Sequence, residues 1–359
     1  MSILAAIAVL AVLIFVHELG HFLAARLQGI YANKFSIGFG PILFKYQGEQ
    51  TEYALRALPL GGFVGFPDDD PESDIAPNDP NLLRNRPVLD RAIVISAGVI
   101  ANLIFAYFLL VTQVGLLGTA DLSYRPGVIV NDIATSLSSA AGKAGLKPND
   151  VVLSIDGQEL GAKETAITEL MTAIQTHPNQ TLAFQVQRGS ETLNLSVKPD
   201  SGAEGKGQIG VKLAPNAEVV RRKATGIVDA FTKGAQEFER MILLTVKGLT
   251  QIATNFGETA GQVAGPIKIV EIGANIAKSD AGGLFQFAAL ISINLAVMNI
   301  LPLPALDGGQ LAFLLIEALL GKPLPTKIQD TVMQTGLALL LSLGVFLIIK
   351  DTAGLFSIQ

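Results

Sequence analysis

The chain has 359 residues, half of them hydrophobic and only 16% charged, with a net charge of −5. That is the balance of an integral membrane protein carrying some soluble mass. The negative charge argues against a nucleic-acid partner, and the lack of Cys rules out disulfides and thiolate metal sites.

The first apolar run starts at Ile3, passes through His17-Glu18-Leu19-Gly20-His21, and stops at Arg26. Read as one helix, it is long enough to cross the roughly 30 Å hydrocarbon core. No basic residues precede it, so it reads as a retained transmembrane helix rather than a signal peptide. Ionisable residues inside a span are costly unless something binds them, which makes them functional candidates. Spacing i, i+4 puts His17 and His21 on one helical face, where two imidazoles can meet one metal. Glu18 stands beside that metal and can take a proton from bound water. The only other His is His177, so the third ligand is either that residue or a carboxylate.

From Gly29 to Phe66 the chain reads as short β-hairpins punctuated by Gly and Pro. Such backbone survives at membrane depth only when buried in protein or lining a wet cavity. The expectation is a re-entrant β-element beside the metal, offering an edge to an extended peptide. Asp68 to Asp79 reads as a solvated acidic linker. Ala92 to Leu117 is a second span, in which Asn102 reads as a hydrogen-bonding contact between helices.

From about Tyr124 the composition becomes that of a soluble α/β domain. The run Ser139-Ala140-Ala141-Gly142-Lys143-Ala144-Gly145-Leu146, followed by Lys147-Pro148-Asn149-Asp150, resembles a PDZ domain of the bacterial protease type. That resemblance implies binding of a peptide or C-terminus by strand addition. His177 falls in a polar turn of this domain and reads as a solvated residue. Beyond Ala217 the apolar residues Phe231, Ala235, Phe238, Ile242, Leu249 and Ile252 recur mostly three and four apart. This predicts an amphipathic helix lying on the membrane surface or packed on the PDZ domain.

Leu284 to Ile300 is a third span. It runs into Leu301-Pro302-Leu303-Pro304-Ala305-Leu306-Asp307-Gly308-Gly309, where two Pro open the backbone and two Gly permit close helix approach. Asp307 is the best-placed carboxylate for the third ligand, with Glu317 its nearest rival. Gln334 to Lys350 is a fourth span. The fold expected is therefore a polytopic α-helical membrane protein of about four transmembrane helices, with a re-entrant β-hairpin element and an inserted α/β PDZ domain. The divisions fall at 1–120, 121–215 (PDZ), 216–282 (amphipathic) and 283–359. Lys and Arg in the short segments 26–91 and 321–330 place those segments in the cytoplasm and the PDZ domain outside.

The HELGH motif, the PDZ insert and the Asn299–Gly309 stretch together resemble the site-2 protease family, in the bacterial regulator-of-sigma-E group. The resemblance implies a multi-pass protein of the inner (plasma) membrane with one Zn2+, its active site toward the cytoplasm. It implies cleavage of single-span membrane proteins already trimmed by another protease, such as anti-sigma factors, or of signal-peptide remnants. By the same resemblance His17, His21 and Asp307 are zinc ligands and Glu18 the catalytic carboxylate. Asn299 and Asn294 would hold the substrate backbone, with Gly61, Gly62 and Phe63 in a substrate-binding β-turn. Two other classes compete: an idle membrane adaptor acting through its PDZ domain, and a metal transporter. A complete Glu18 beside both His speaks against the first, and the absence of a chain of further intramembrane carboxylates against the second.

Overall fold

The computed structural model describes residues 2–70, 73–133, 139–202, 205–255, 263–279 and 281–356. Of the acidic linker, Pro71 and Glu72 lie outside the described residues. The chain divides into two compact units, Met1–Thr119 with Lys223–Gln359, and Ala120–Arg222.

In the first unit, helix α1 (Ser2–Leu27) is followed by two long bent strands, β1 (Lys34–Gln47) and β2 (Glu52–Gly65). Their register resolves into four short runs. Residues 34–37 pair in parallel with 52–55 and antiparallel with 62–65, while 42–47 pair antiparallel with 52–56. The runs therefore lie side by side in the order 42–47, 52–56, 34–37, 62–65. Of the two outer edges, 62–65 faces Glu18, as described below. Helix α2 (Val88–Leu116) closes this half.

The second unit begins with β3 (Thr119–Ile133), α3 (Ala140–Lys143), β4 (Val151–Ile155), β5 (Gln158–Glu159) and α4 (Ala166–Thr176). It continues with β6 (Leu182–Arg188), β7 (Glu191–Val197), β8 (Asp200–Ser201), β9 (Gly207–Gln208) and β10 (Val211–Arg222). The main sheet runs β10–β3–β4–β6–β7, with β5 hydrogen-bonded to β4. Strand β6 alternates buried and exposed residues, so Leu182, Phe184 and Val186 form one apolar face. Ala166, Leu170 and Ile174 of α4 cover that core at four-residue spacing. His177 caps α4, its Nδ1 2.9 Å from the Ala173 carbonyl, in this unit and remote from the HELGH helix in sequence.

The chain then returns to the first unit through α5 (Ile227–Thr254), α6 (Pro266–Ser279), α7 (Ala281–Ile300), α8 (Asp307–Leu320) and α9 (Thr326–Phe356). Helices α1, α2, α7 and α9 are long and apolar enough to cross a membrane. Helix α5 departs from the sequence expectation, because its apolar face packs on the membrane helices. Met241 is buried with Ala106 and Leu110 of α2 and Ala289 and Ile293 of α7. Small residues explain the approach: a Cβ on Gly234 would lie 2.6 Å from Val111 Cγ2. The acidic linker is also tied down rather than free in solvent. Asp68 accepts the Leu83 N–H (2.9 Å) and pairs with Arg84, and Asp70 pairs with Lys34 at 2.9 Å.

One buried charge organises the sheet unit. Asp150 is 1% exposed and accepts hydrogen bonds from Arg188 Nε, Arg188 Nη2 and the Lys147 N–H, each at 2.8 Å. Burial pushes its carboxyl up, but the guanidinium and the N–H outweigh burial and hold it below the usual range. Because the folded value is depressed, its stabilisation is complete above the unfolded value of about 3.9 and disappears as pH falls through the folded value. Asp150→Asn should cost about 2 kcal/mol at neutral pH, read as lost hydrogen-exchange protection in β4 and β6, with the difference from wild type shrinking below about pH 4.

Candidate metal centre

The centre is assembled from α1, α2 and the turn between α7 and α8. His17 and His21 stand one turn apart on α1, with Nε2 atoms 3.2 Å from each other. Asp307, the first residue of α8, brings Oδ2 to 3.3 Å from His17 Nε2 and 3.4 Å from His21 Nε2. This is the one group of three His or carboxylate ligand atoms found together among the described residues. The separations carry information. Ligand bonds of about 2.0–2.1 Å in tetrahedral zinc place ligand atoms about 3.3 Å apart. All three observed edges match that figure.

Protonation makes the same point. His21 Nδ1 lies 2.9 Å from the Val94 carbonyl, which only accepts. That ring nitrogen therefore carries the proton, and His21 Nε2 presents a lone pair. The lone pair faces Asp307 Oδ2, itself buried without a hydrogen-bond donor. Two acceptors held 3.4 Å apart in a buried place repel each other unless a cation lies between them. The donor set, N, N and O without sulfur, suits zinc.

Local sequence explains how these side chains reach one another. On α1, Gly20 lies at the crossing with α2, where a Cβ would be 2.5 Å from the Ala97 carbonyl oxygen. On α2, a Cβ at Gly98 would lie 2.3 Å from His21 Nε2 and 2.8 Å from His17 Cε1. Gly98 is the gap the imidazoles occupy. At the other side, Pro302 and Pro304 end α7, and a Cβ at Gly308 would be 2.1 Å from the Leu301 carbonyl oxygen. The bare Gly308 lets α8 start directly on the opened turn and delivers Asp307 at a helix N-terminus, where the dipole favours a carboxylate.

Glu18 is buried at 9% exposure. The outer strand run runs beside it: a Cβ at Gly62 would be 2.8 Å from Glu18 Cγ, and the Val64 backbone amide reaches its carboxyl. A cavity of about 780 Å3 joins these groups, lined by His17, Glu18, Gly61, Phe63, Asn299 and Asp307 among others. Asn299 Nδ2 lies 3.3 Å from His17 Nε2. Asn294 is placed elsewhere, since its Oδ1 accepts from Thr245 Oγ1 of α5 at 2.8 Å and it does not line the cavity. Leu295 and Asn299, four residues apart, face the cavity, while Asn294, one residue before Leu295, is turned by about 100° toward α5. Glu317, the rival carboxylate, is paired instead with Arg91, its Oε2 3.0 Å from Arg91 Nη1. Asn102 makes the contact between helices that the sequence predicts, its α2 carboxamide lying 3.3 Å from His17 Nδ1 of α1. Four residues after Gly98 on one face of α2, it carried that signal in its spacing.

Four membrane-spanning helices around a half-buried His-His-Asp cluster with an adjacent carboxylate define a polytopic membrane protein built around a zinc-type hydrolytic centre. Residues 5–343 match the model of peptidase family M50, and the chain belongs to that family, the site-2 proteases. It is 64% identical over 355 residues to a candidate zinc metalloprotease of Nostoc sp., covering 99% of this chain and 97% of that one. To the chloroplastic membrane metalloprotease ARASP of Arabidopsis thaliana it is 48% identical, covering 99% of this chain and 79% of the other. To the regulator of sigma-W protease RasP of Bacillus subtilis it is 28% identical, with 99% of each covered. Among solved structures, the PDZ domain of an SdrC-like protein from Listeria monocytogenes matches at 20% identity, covering 24% of this chain and 87% of that domain, with a TM-score of 0.21. The protein is a multi-pass membrane zinc metalloprotease with an inserted α/β domain.

The space at Gly98 gives a sharp test. Gly98→Ala should cut bound zinc at least about tenfold, as loss of an oriented imidazole does, measured as zinc per chain in purified protein. Gly115→Ala lies on the same helix with its nearest neighbour at 3.8 Å and should leave zinc content as in wild type.

Proposed function

We propose that this chain hydrolyses peptide bonds within or near the transmembrane segments of single-span membrane proteins, with His17, His21 and Asp307 holding zinc and Glu18 as general base. The observation that carries the reading is the triangle of 3.2–3.4 Å edges among the three ligand atoms, with Glu18 and a strand edge beside it. Bound zinc supplies a Lewis acid that lowers the pKa of water to about 7 and polarises a carbonyl. Glu18, aligned by Val64 and shielded by burial, accepts the water proton and returns it to the leaving amine. Asn299 points an N–H donor at the reacting centre, where it stabilises negative charge developing on the carbonyl oxygen.

A substrate helix hides its peptide bonds, so it must unwind before it can react. The run 62–65 has one side paired with 34–37 and, among the described residues, no strand on the other. An extended substrate can pair with that free edge, recovering in the low-dielectric membrane the hydrogen bonds lost on unwinding. Gly62 and Phe63 belong to this edge, Gly61 directly precedes it, and all three line the cavity. The PDZ-type insert is assigned to peptide or C-terminal segments of membrane proteins pre-trimmed by another protease, anti-sigma factors and signal-peptide remnants being the candidate classes. The relative from Bacillus subtilis is named for sigma-W regulation, which supports this substrate class. The basic residues in 26–91 and 321–330 support a plasma-membrane orientation with the insert outside and the metal toward the cytoplasm.

Two variants test the assignment on a tagged single-span protein lacking its ectodomain. Glu18→Gln keeps the shape and removes the base, so cleavage should fall by about 10²–10⁴ while zinc per chain stays as in wild type. Undiminished cleavage by that variant would exclude Glu18 as the base. Asn299→Ala should lower kcat by about 10²-fold with KM little changed, if its donor acts on the transition state.

A further inference from the structure

The two histidines differ in what holds their second nitrogen. His21 Nδ1 has the fixed acceptor Val94 O. His17 Nδ1 faces the Asn102 carboxamide, with Nδ2 at 3.3 Å. Asn102 is fully buried at 0% exposure, and its Oδ1 has no partner. The His17 Nε2 atom is turned toward Asp307 and His21, so when it serves as a ligand the ring proton sits on Nδ1. A donor then meets the Asn102 donor while the acceptor of the same carboxamide stands idle. A half-turn of the carboxamide, whose two ends have the same shape, relieves both faults together.

We propose that Asn102 is a positioning residue of the metal centre: its Oδ1 accepts the His17 Nδ1 proton, fixing the Nε2-ligating tautomer and the ring's orientation. It would do for His17 what the Val94 carbonyl does for His21. The support extends one step further, because the Asn102 carbonyl accepts from Ser292 Oγ of α7 at 2.9 Å. The same α7 carries Asn299, which reaches the other nitrogen of the His17 ring. The His17 ring thus lies between carboxamides of α2 and α7, with Asn102 on its Nδ1 side and Asn299 beside the Nε2 that would face the metal.

The test uses full-length protein in detergent and reads metal affinity. Zinc is titrated against a chelating indicator, and the Co2+-substituted protein is followed by its d–d absorption. Asn102→Leu, similar in volume but without the acceptor, should weaken zinc by about 10–100-fold and change the cobalt bands. Asn102→Asp keeps an acceptor and should hold zinc within about tenfold of wild type. Wild-type affinity with unchanged bands in the Leu variant would overturn the proposal, as would an Asp variant falling as far as Leu. Should the Leu variant fail to fold, histidine 15N spectra decide, because the chain has only three His. Asn102→Asp should shift the Nδ1 signal of one imidazole and leave the other two in place; three unmoved signals would overturn the proposal. The proposal rests on His17 as a ligand, and His17→Ala checks that separately: zinc retained there would defeat the ligand set itself rather than the role of Asn102.

Discussion

Two imidazole nitrogens and a carboxylate oxygen lie within 3.4 Å of one another at a half-buried site beside a cavity. Each is an electron-rich atom aimed at the others, and such a group is stable only around a cation. Much of the membrane unit can be understood as the apparatus that holds this arrangement. Helix α1 supplies two ligands at fixed spacing, so one rigid element sets their separation. Helix α2 comes close enough at Gly20 and Gly98 to press the imidazoles into place and offers the Val94 carbonyl to one of them. The broken end of α7 then brings the third ligand from nearly three hundred residues away in sequence.

The same packing places a β-element where a membrane protein seldom has one. Strand backbone at membrane depth leaves donors and acceptors to be satisfied, and the four short runs satisfy most of them within the element. What remains is the outer side of 62–65, next to Glu18. Glycine at position 62 removes the side chain that would otherwise collide with the Glu18 methylene. The absence of that one carbon lets the proposed general base and a strand edge share the same few ångströms. In the proposed reaction this matters because base and peptide backbone must approach the same water from different sides.

Much of this was legible in the sequence, for identifiable reasons. The HELGH helix and Asp307 could be read because ionisable groups in apolar segments stand out and because helical spacing is rigid. The α/β insert could be read from alternating strands and its Gly-Leu-x-Pro-x-Asp turn. Helix α5 was misplaced because an amphipathic pattern gives a helix two faces without naming the partner. Membrane helices offer apolar surface as readily as lipid does, and the residue that permits the approach, Gly234, looks unremarkable alone. Asn294 was grouped with Asn299 by likeness of residue, although five positions apart on a helix differ by about 140° and face different neighbours. Asn102 was legible as a contact between helices, but its partner was not: its carboxamide meets His17 of α1, and a single chain of letters does not say which helices touch.

The proposed ligands would also explain why the chain can carry a large insert between its second and third spans. His17 and His21 lie before the insert and Asp307 after it, so an ion held by all three would tie the two halves of the membrane unit together. Metal binding of this kind contributes to folding as well as to chemistry, because the unfolded chain offers no such site. The hydrophobic contacts among Ala106, Leu110, Met241, Ala289 and Ile293 perform the same joining role without metal. Their location differs: they pack along α2, α5 and α7, while the metal site pins the α7–α8 turn, where two prolines have removed backbone donors and Ala305 adopts a positive φ of 69°. An opened, strained turn is the part of this unit least able to hold itself in place. Placing the third ligand there makes the ion stabilise the segment that most needs it, and leaves the backbone beside Asn299 open toward the cavity.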